Sequence, residues 1–377
     1  MGPGRIQPQV HAATQITKEN KMDVGILLVA QNWYKDKSDE AVFMDEVEMG
    51  VAAEEAGFDS VWSAEHHFDD YSMLPDNFQV LSYIAGRTKR VKLGIGAAIL
   101  PWNDPLRVAE KSILLDHLSG GRAMVALGRG LAKAEYDAFG IDMNESRARF
   151  NESADMVINA VKTGVIEGSG PHYPQQKIEL RPAPSPDRPW DDRLFAAAMS
   201  PDSIPIAAEL GVRMMTFMQF DNATHAGSIN EYREMFKKHH GAYPAAPLVQ
   251  DFVFCHEDPD VAEAMAQQYI GQYFLSVIKH YDFAGEHWRA TKGYETYQVG
   301  ADMIREAGME NAAKGYVQAN IHGTPEQCIE QYRERREIFG CDYLANAAFC
   351  FAGMPIEESM KSMRLFGEKV VPALKEM

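Results

Sequence analysis

With 377 residues, 46% of them hydrophobic, the chain is long enough to bury the core of one large α/β barrel or of two modest domains. A formal charge of −17 with no basic run disfavours nucleic acid and anionic membranes as partners, because either would need a concentrated positive surface. Cys255, Cys328, Cys341 and Cys350 form no CxxC pair and are too sparse for a disulfide framework, so reduced thiols in a cytoplasmic protein are expected.

Residues 1–20 lack the apolar segment of a signal peptide and read as a disordered extension ahead of a domain over residues 21–377. No apolar run is long enough to span a bilayer. Met22 to Ala30 is a continuous apolar stretch of the kind that forms a strand buried on both faces, and Glu40 to Ala56 then carries helical spacing up to Gly57. Asp59 to Ala64 reads as a second strand, Asn77 to Thr88 as a helix, Val91 to Leu100 as a third strand, and Pro105 to Leu118 as a helix opened by its proline. A strand at Ala123 to Gly128 and a helix from Ser146 to Val165 precede a Pro-, Gly- and Ser-rich insertion, Ile166 to Pro189, expected to be a loop. Leu194 to Ala198, Arg213 to Met218 and Leu248 to Cys255 read as the next strands, with helices at Pro201 to Leu210, Asn222 to His240 and Asp258 to Tyr281. Asp282 to Ile321 is polar and without a clear period, which fits a lid. A helix at Thr324 to Phe339, a strand at Tyr343 to Phe349 and a helix at Pro355 to Val371 close the series. Eight strands alternating with eight helices predict an α/β protein built as a single (β/α)8 TIM barrel, with an insertion after the fourth helix and a mobile lid after the seventh strand.

Chemistry in such barrels sits at the carboxyl ends of the strands, which here carry Gln31 and Asn32, Glu65-His66-His67, Gly96 to Pro101, Gly128-Arg129-Gly130, Met199-Ser200, Gln219, His256 and Phe351. An imidazole at a barrel mouth can manage protons near neutrality. Neighbouring histidines on extended chain point to opposite sides, and with no HExxH motif or matched third ligand nearby no metal is expected. Two glycines flanking Arg129 let the backbone approach a ligand that the guanidinium could clamp by its phosphate, although a glycine turn with a solvated arginine has the same pattern. Ser200 before Pro201 suits an N-cap, and with Ser203 it could instead line a phosphate site at a helix N-terminus. Gly96 could permit an unusual backbone under a flat cofactor.

Taken in order, the segments Gly57-Phe58-Asp59, Glu65-His66-His67-Phe68, Gly94 to Pro101, Gly120-Gly121-Arg122, Arg129-Gly130-Leu131, Ser146-Arg147 and Gly323-Thr324-Pro325-Glu326 resemble the luciferase-like flavin monooxygenases, above all the α-subunit branch of bacterial luciferase. The resemblance runs from about Met22 to the C-terminus. It implies a two-component FMN-dependent monooxygenase that uses reduced FMN and O2, through a C4a-hydroperoxyflavin, to oxidise a small organic substrate. By the same resemblance His66 would be the catalytic histidine, Arg129, Ser200 and Ser203 the ligands of the flavin phosphate with the Met199 amide beside them, and Gly96-Ala97 a non-prolyl cis peptide under the isoalloxazine ring. Thr291 to Tyr294 would fall in the lid, and a homodimer is expected. At Gly128 the luciferase α subunit carries a reactive cysteine, a departure that leaves aldehyde oxidation with light emission open. No GxGxxG fingerprint for a nicotinamide domain is present, so a separate NAD(P)H:flavin reductase would supply the reduced FMN. Hydride transfer with deazaflavin (F420) and a non-catalytic flavin-binding subunit are the alternatives.

Overall fold

Val24–Leu28 (VGILL) is buried at every position, as a strand must be when side chains on one face fill a barrel and those on the other meet covering helices. In the computed structural model, which describes residues 22–377 apart from 284 and 286, eight such parallel strands close into a barrel. They are β1 (Val24–Leu28), β2 (Ser60–Ser63), β3 (Lys92–Ile99), β4 (Ala123–Gly128), β5 (Leu194–Ala197), β6 (Arg213–Phe217), β7 (Leu248–Phe252) and β8 (Leu344–Ala348), each hydrogen-bonded to its sequence neighbours, with β8 returning to β1. The expected extension over residues 1–20 lies outside the described residues. Among the described residues no helix is long and apolar enough to cross a membrane.

The period-2 alternation divides the core. Val24, Ile26 and Leu28 join Val61, Leu93 and Ile95 in the layer beneath the helices, while Leu27, Val29, Trp62, Met124, Phe195 and Met215 pack inside the barrel. Trp62 meets Phe195 edge to face with centroids 5.3 Å apart. A Cβ on Gly94 would stand 2.1 Å from the Trp62 ring, so the indole fits only because its β3 neighbour has no side chain.

The helices start and stop where their chemistry provides. Asp104 caps Pro105–Ser119 by accepting from the Leu106 and Arg107 amides, and Gly120 ends it in the left-handed region at φ 69°. Thr324 and Gln327 form a reciprocal capping box at Pro325–Phe339. Glu46, on the inner face of Asp39–Glu55, accepts the Ala30 amide at 2.9 Å just beyond β1.

Burial pushes the Glu46 carboxyl up from 4.5 to about 8, against the opposing pull of the Ala30 and Val29 amides. The folded protein therefore holds this proton to about pH 8 while the unfolded chain releases it near 4.5, so stability present below the lower value is lost as pH rises through the upper one. Glu46→Gln, which keeps an acceptor for Ala30, is expected to melt with the parent at about pH 5 and several degrees above it at about pH 9. A difference in Tm that stays constant across that range would contradict the assignment.

Four expectations change. The insertion is not a loop throughout: Val165–Gly168 and Gln175–Glu179 pair as an antiparallel hairpin, the first strand only four residues long and anchored by buried Ile166, the second mostly polar and exposed, so neither gives a strand signal. The seventh strand leaves the barrel at Phe252, and Phe254–Cys255 pairs instead with His322–Gly323. Among the described residues of 282–321 the chain forms a short 3-10 helix, His287–Arg289, and two α-helices, Glu295–Ala307 and Met309–Ala319, divided at Gly308, which sits at φ 80°. The helix expected from Pro201 begins at Ile204, after a turn.

Candidate functional site at the carboxyl ends of the strands

His66, Gly96, Ala97, Arg129, Met199, Ser200 and Ser203 all line one cavity at the carboxyl end of the barrel. The closed sheet brings strands two to five round to a common mouth, so residues far apart in sequence share a wall. His256, Phe351, Gln31 and Asn32 do not line it: His256 Nδ1 accepts from the Asp258 amide outside the barrel, and Phe351 packs on Phe252 and Tyr273.

At one side of the cavity β2 delivers the histidine pair. Glu65 accepts from Trp102 Nε1 and Asn103 Nδ2, both at 2.8 Å, and its Oε1 lies 3.3 Å from His67 Nε2, so His67 is tied into the wall. His66 turns the other way. Its Nδ1 lies 3.1 Å from Glu135 Oε1 and its Nε2 lies 3.4 Å from the Tyr281 hydroxyl. Glu135 also accepts the His67 amide at 2.8 Å. Burial pushes the Glu135 carboxyl up, but the His66 hydrogen bond and charge, with the His67 amide, outweigh it and hold the group below its ordinary range. Glu135 is thus a carboxylate that fixes the ring orientation of His66. One donor atom each of His66, Glu135 and His280 lie within 4.8 Å of one another, close enough for a cation. Because Glu135 Oε1 is already engaged by His66 and His67, the cluster is better suited to moving a proton.

At the opposite side β4 and β5 supply the polar groups. Arg129 is 9% exposed, donates from Nη1 to the Gly293 carbonyl at 2.8 Å, and lies 3.7 Å over the Tyr294 ring. Arg147, in the first turn of helix Ser146–Thr163, lines the same cavity and has a buried Nη2 with no hydrogen-bond partner. Burial, and then the charge of Arg129, lower its pKa to about 10, so Arg147 is still charged at neutral pH. Ser200 does not cap a helix. Instead Ser203 Oγ accepts the Met199 and Ser200 amides at 3.0 and 2.9 Å, folding Pro201–Ser203 into a turn that brings both hydroxyls to within 3.1 Å of each other at the cavity. The following helix has six residues and is too short to act as an anion-binding dipole.

Between these two ends runs the Gly96–Ala97 peptide, which is cis as expected, with Asn77 Nδ2 donating to the Ala97 carbonyl at 3.1 Å. A Cβ on Gly128 would come within 2.7 Å of Ile99 Cδ1 and 3.1 Å of the Ala97 Cβ, so the glycine keeps this floor open. Tyr71, Tyr273, Tyr281 and Tyr316 line the cavity together with Phe252, which stacks on Tyr273 with centroids 3.7 Å apart, and Val277. Burial holds these phenols far above their ordinary pKa, and they are neutral. Glu135, Arg147, Asn77 and the tyrosines are absent from the residues chosen by sequence. Arg147 carried a signal in the Ser146-Arg147 pair, whereas Glu135 sits in the short helix Lys133–Ala138, which has no readable period.

The family model for the luciferase-like monooxygenase matches residues 22–341. The alkanal monooxygenase alpha chain of Photorhabdus luminescens is 26% identical over 350 residues, covering 88% of this chain and 91% of the relative. Among solved structures, the monooxygenase RslO1 from Streptomyces bottropensis superposes with a TM-score of 0.75 at 26% identity, over 93% of this chain and 99% of the other. At 18% identity the fold is shared with the FMN-bound oxygenating constituent of 3,6-diketocamphane monooxygenase from the CAM plasmid of Pseudomonas putida, which has a TM-score of 0.70 and covers 93% of this chain and 98% of its own. It is also shared with an F420-dependent secondary alcohol dehydrogenase bound to an F420-acetone adduct, with a TM-score of 0.68 and coverage of 94% and 99%. The chain belongs to the luciferase-like monooxygenase family.

Proposed function

We propose that the chain is a flavin-dependent monooxygenase that binds reduced FMN and uses O2 to oxidise an uncharged small organic substrate. The observation that carries this reading is the pairing of two charged guanidiniums and two serine hydroxyls at one end of the cavity with the His66–Glu135 pair at the other. A phosphomonoester carries close to two negative charges at neutral pH, and the partnerless Arg147 Nη2 beside Arg129, Ser200 and Ser203 fits such a dianion. The phosphodiester of a deazaflavin carries one charge, so the doubled cation favours FMN. Bound reduced FMN supplies the two electrons that activate O2 for transfer of one oxygen atom.

The rest is the work of this chain's residues. Arg129, Arg147, Ser200 and Ser203 hold the phosphate, with the Met199 amide fixed behind Ser203. Gly96 and Ala97 line the floor on which the flat ring of a bound flavin would rest. His66, held by Glu135, takes or gives a proton at Nε2. The stretch Thr291 to Tyr294 covers the Arg129 side, where the Tyr294 hydroxyl donates to the Gly130 carbonyl at 2.8 Å and helps keep water out. Among the described residues the cavity side chains around His66 are mainly apolar, phenolic or acidic and include no lysine or arginine to pair with an anionic substrate. A separate flavin reductase would deliver the reduced FMN. Helices Asp39–Glu55, Asn77–Arg87 and Pro105–Ser119 expose Met44, Tyr83, Leu114 and Leu118, which supports a homodimer through that face.

Coupled turnover with a flavin reductase under labelled O2 tests the reading. One labelled oxygen atom is expected in the product from uncharged ketones, aldehydes or arenes, and carboxylate- or sulfonate-bearing analogues are expected to be poor substrates. NAD(P)H oxidation yielding hydrogen peroxide alone across the uncharged panel would count against it.

A further inference from the structure

Behind His66 lies a second imidazole. His280, at the end of helix Pro259–His280, has a side chain only 3% exposed, and its Nε2 is buried without a hydrogen-bond partner among the described residues. Its Nδ1 lies 3.2 Å from Asp69 Oδ2. The two imidazoles meet edge to face with centroids 4.9 Å apart, and a ring nitrogen of each lies within 4.8 Å of one on the other. Asp69 is 37% exposed and lines an outer cleft with Asp39, Glu40 and Asp70. His66 and Ser72 line both this cleft and the inner cavity, and the Ser72 hydroxyl is also buried without a partner. The wall between flavin cavity and acidic cleft is therefore built of groups that carry protons.

We propose that Asp69 and His280 form a proton relay that connects His66 to the acidic outer cleft, so that protons reach the cavity from the side while ligands fill its mouth. An outward transfer moves a proton from His66 to the bare His280 Nε2 and releases the one on Nδ1 to Asp69 and so to the cleft, leaving the Nε2–H tautomer; the inward transfer is the reverse, in which Nδ1 takes a proton from Asp69 and Nε2 returns one to His66. One proton enters and one leaves, with no change of oxidation state. The groups facing His280 are Asp69, His66, Glu135, Tyr71, stacked on it at 4.2 Å, and Tyr281. Burial, only partly offset by Asp69, lowers the His280 pKa, and its hydrogen bond draws Asp69 down to about 2. At neutral pH the pair is thus a neutral imidazole donating from Nδ1 to a carboxylate, with Nε2 free to accept.

His280 and Asp69 act through His66 and are positioning and relay residues. The relay rests on the proposed role of His66, but the first test needs no flavin. In the chain without cofactor, nitrogen-15 NMR of the imidazoles is expected to show His280 with its proton on Nδ1, and Asp69→Asn to shift that proton toward Nε2. In coupled turnover at low buffer concentration, His280→Gln and Asp69→Asn are expected to lower kcat by about tenfold or more with KM and FMN affinity unchanged, and added imidazole to restore much of the loss. A proton on Nε2 in the parent, unaltered turnover in both variants, or a loss that imidazole does not rescue would overturn the relay. Failure of the parent to bind FMN would overturn the flavin reading and leave the NMR result standing.

Discussion

Arg147→Ala is expected to weaken FMN binding by about 1.5–3 kcal/mol, roughly tenfold to a hundredfold in Kd, while leaving riboflavin affinity unchanged. Arg147 Nη2 has no hydrogen-bond partner among the described residues, so it is open to a ligand, and under the proposed reading the group that would reach it is the phosphate. Arg129→Ala is expected to act in the same direction and to loosen the Gly293 contact as well, because its Nη1 already donates there. Arg147→Lys keeps the charge but loses the planar fork and should recover part of the affinity. Calorimetric titration with FMN and riboflavin separates the outcomes: equal losses for both flavins would mean that the arginines shape the cavity and do not hold the phosphate.

The second large effect lies at the other end of the cavity. His66→Ala is expected to bind FMN normally and to lose about 10²–10⁴ in the rate of substrate oxygenation, the range for a positioned proton-transfer group. Glu135→Gln should give a smaller loss of the same kind. The amide keeps a hydrogen-bond acceptor for His66 Nδ1 at the observed 3.1 Å but removes the charge that stabilises a protonated ring. Both variants should divert reducing equivalents to hydrogen peroxide, so the ratio of product to NAD(P)H consumed falls further than FMN affinity does. Unaltered coupling in both would remove His66 and Glu135 from the chemistry.

Much of this was legible before any coordinates. The eight strands are short apolar runs buried on both faces, and such runs stand out between amphipathic helices. Once they imply a barrel, the strand ends become the place to look, which is why His66, Arg129 and Ser200 could be chosen and share one cavity. The parts that escaped depend on closure. Glu135 reaches His66 across 69 residues and Tyr281 reaches it across 215, and no local pattern encodes either meeting. Ser200 looked like a helix cap because Pro201 often opens helices. Here the Ser203 hydroxyl takes the neighbouring amides instead, and the helix waits until Ile204. The helices Glu295–Ala307 and Met309–Ala319 are amphipathic, and they escaped because Gly300, Gly308 and Gly315 and the many polar residues make the stretch read as a loop.

The most direct test of the central claim is rapid mixing of the protein, loaded anaerobically with reduced FMN, against oxygenated buffer while the absorbance of oxidised flavin is followed. The account predicts a two-phase return, with oxidised flavin appearing more slowly than from free reduced FMN and after a lag, because the cavity and the His66–Glu135 pair would shield bound flavin from water. A single-phase return at the rate of free reduced FMN would contradict it.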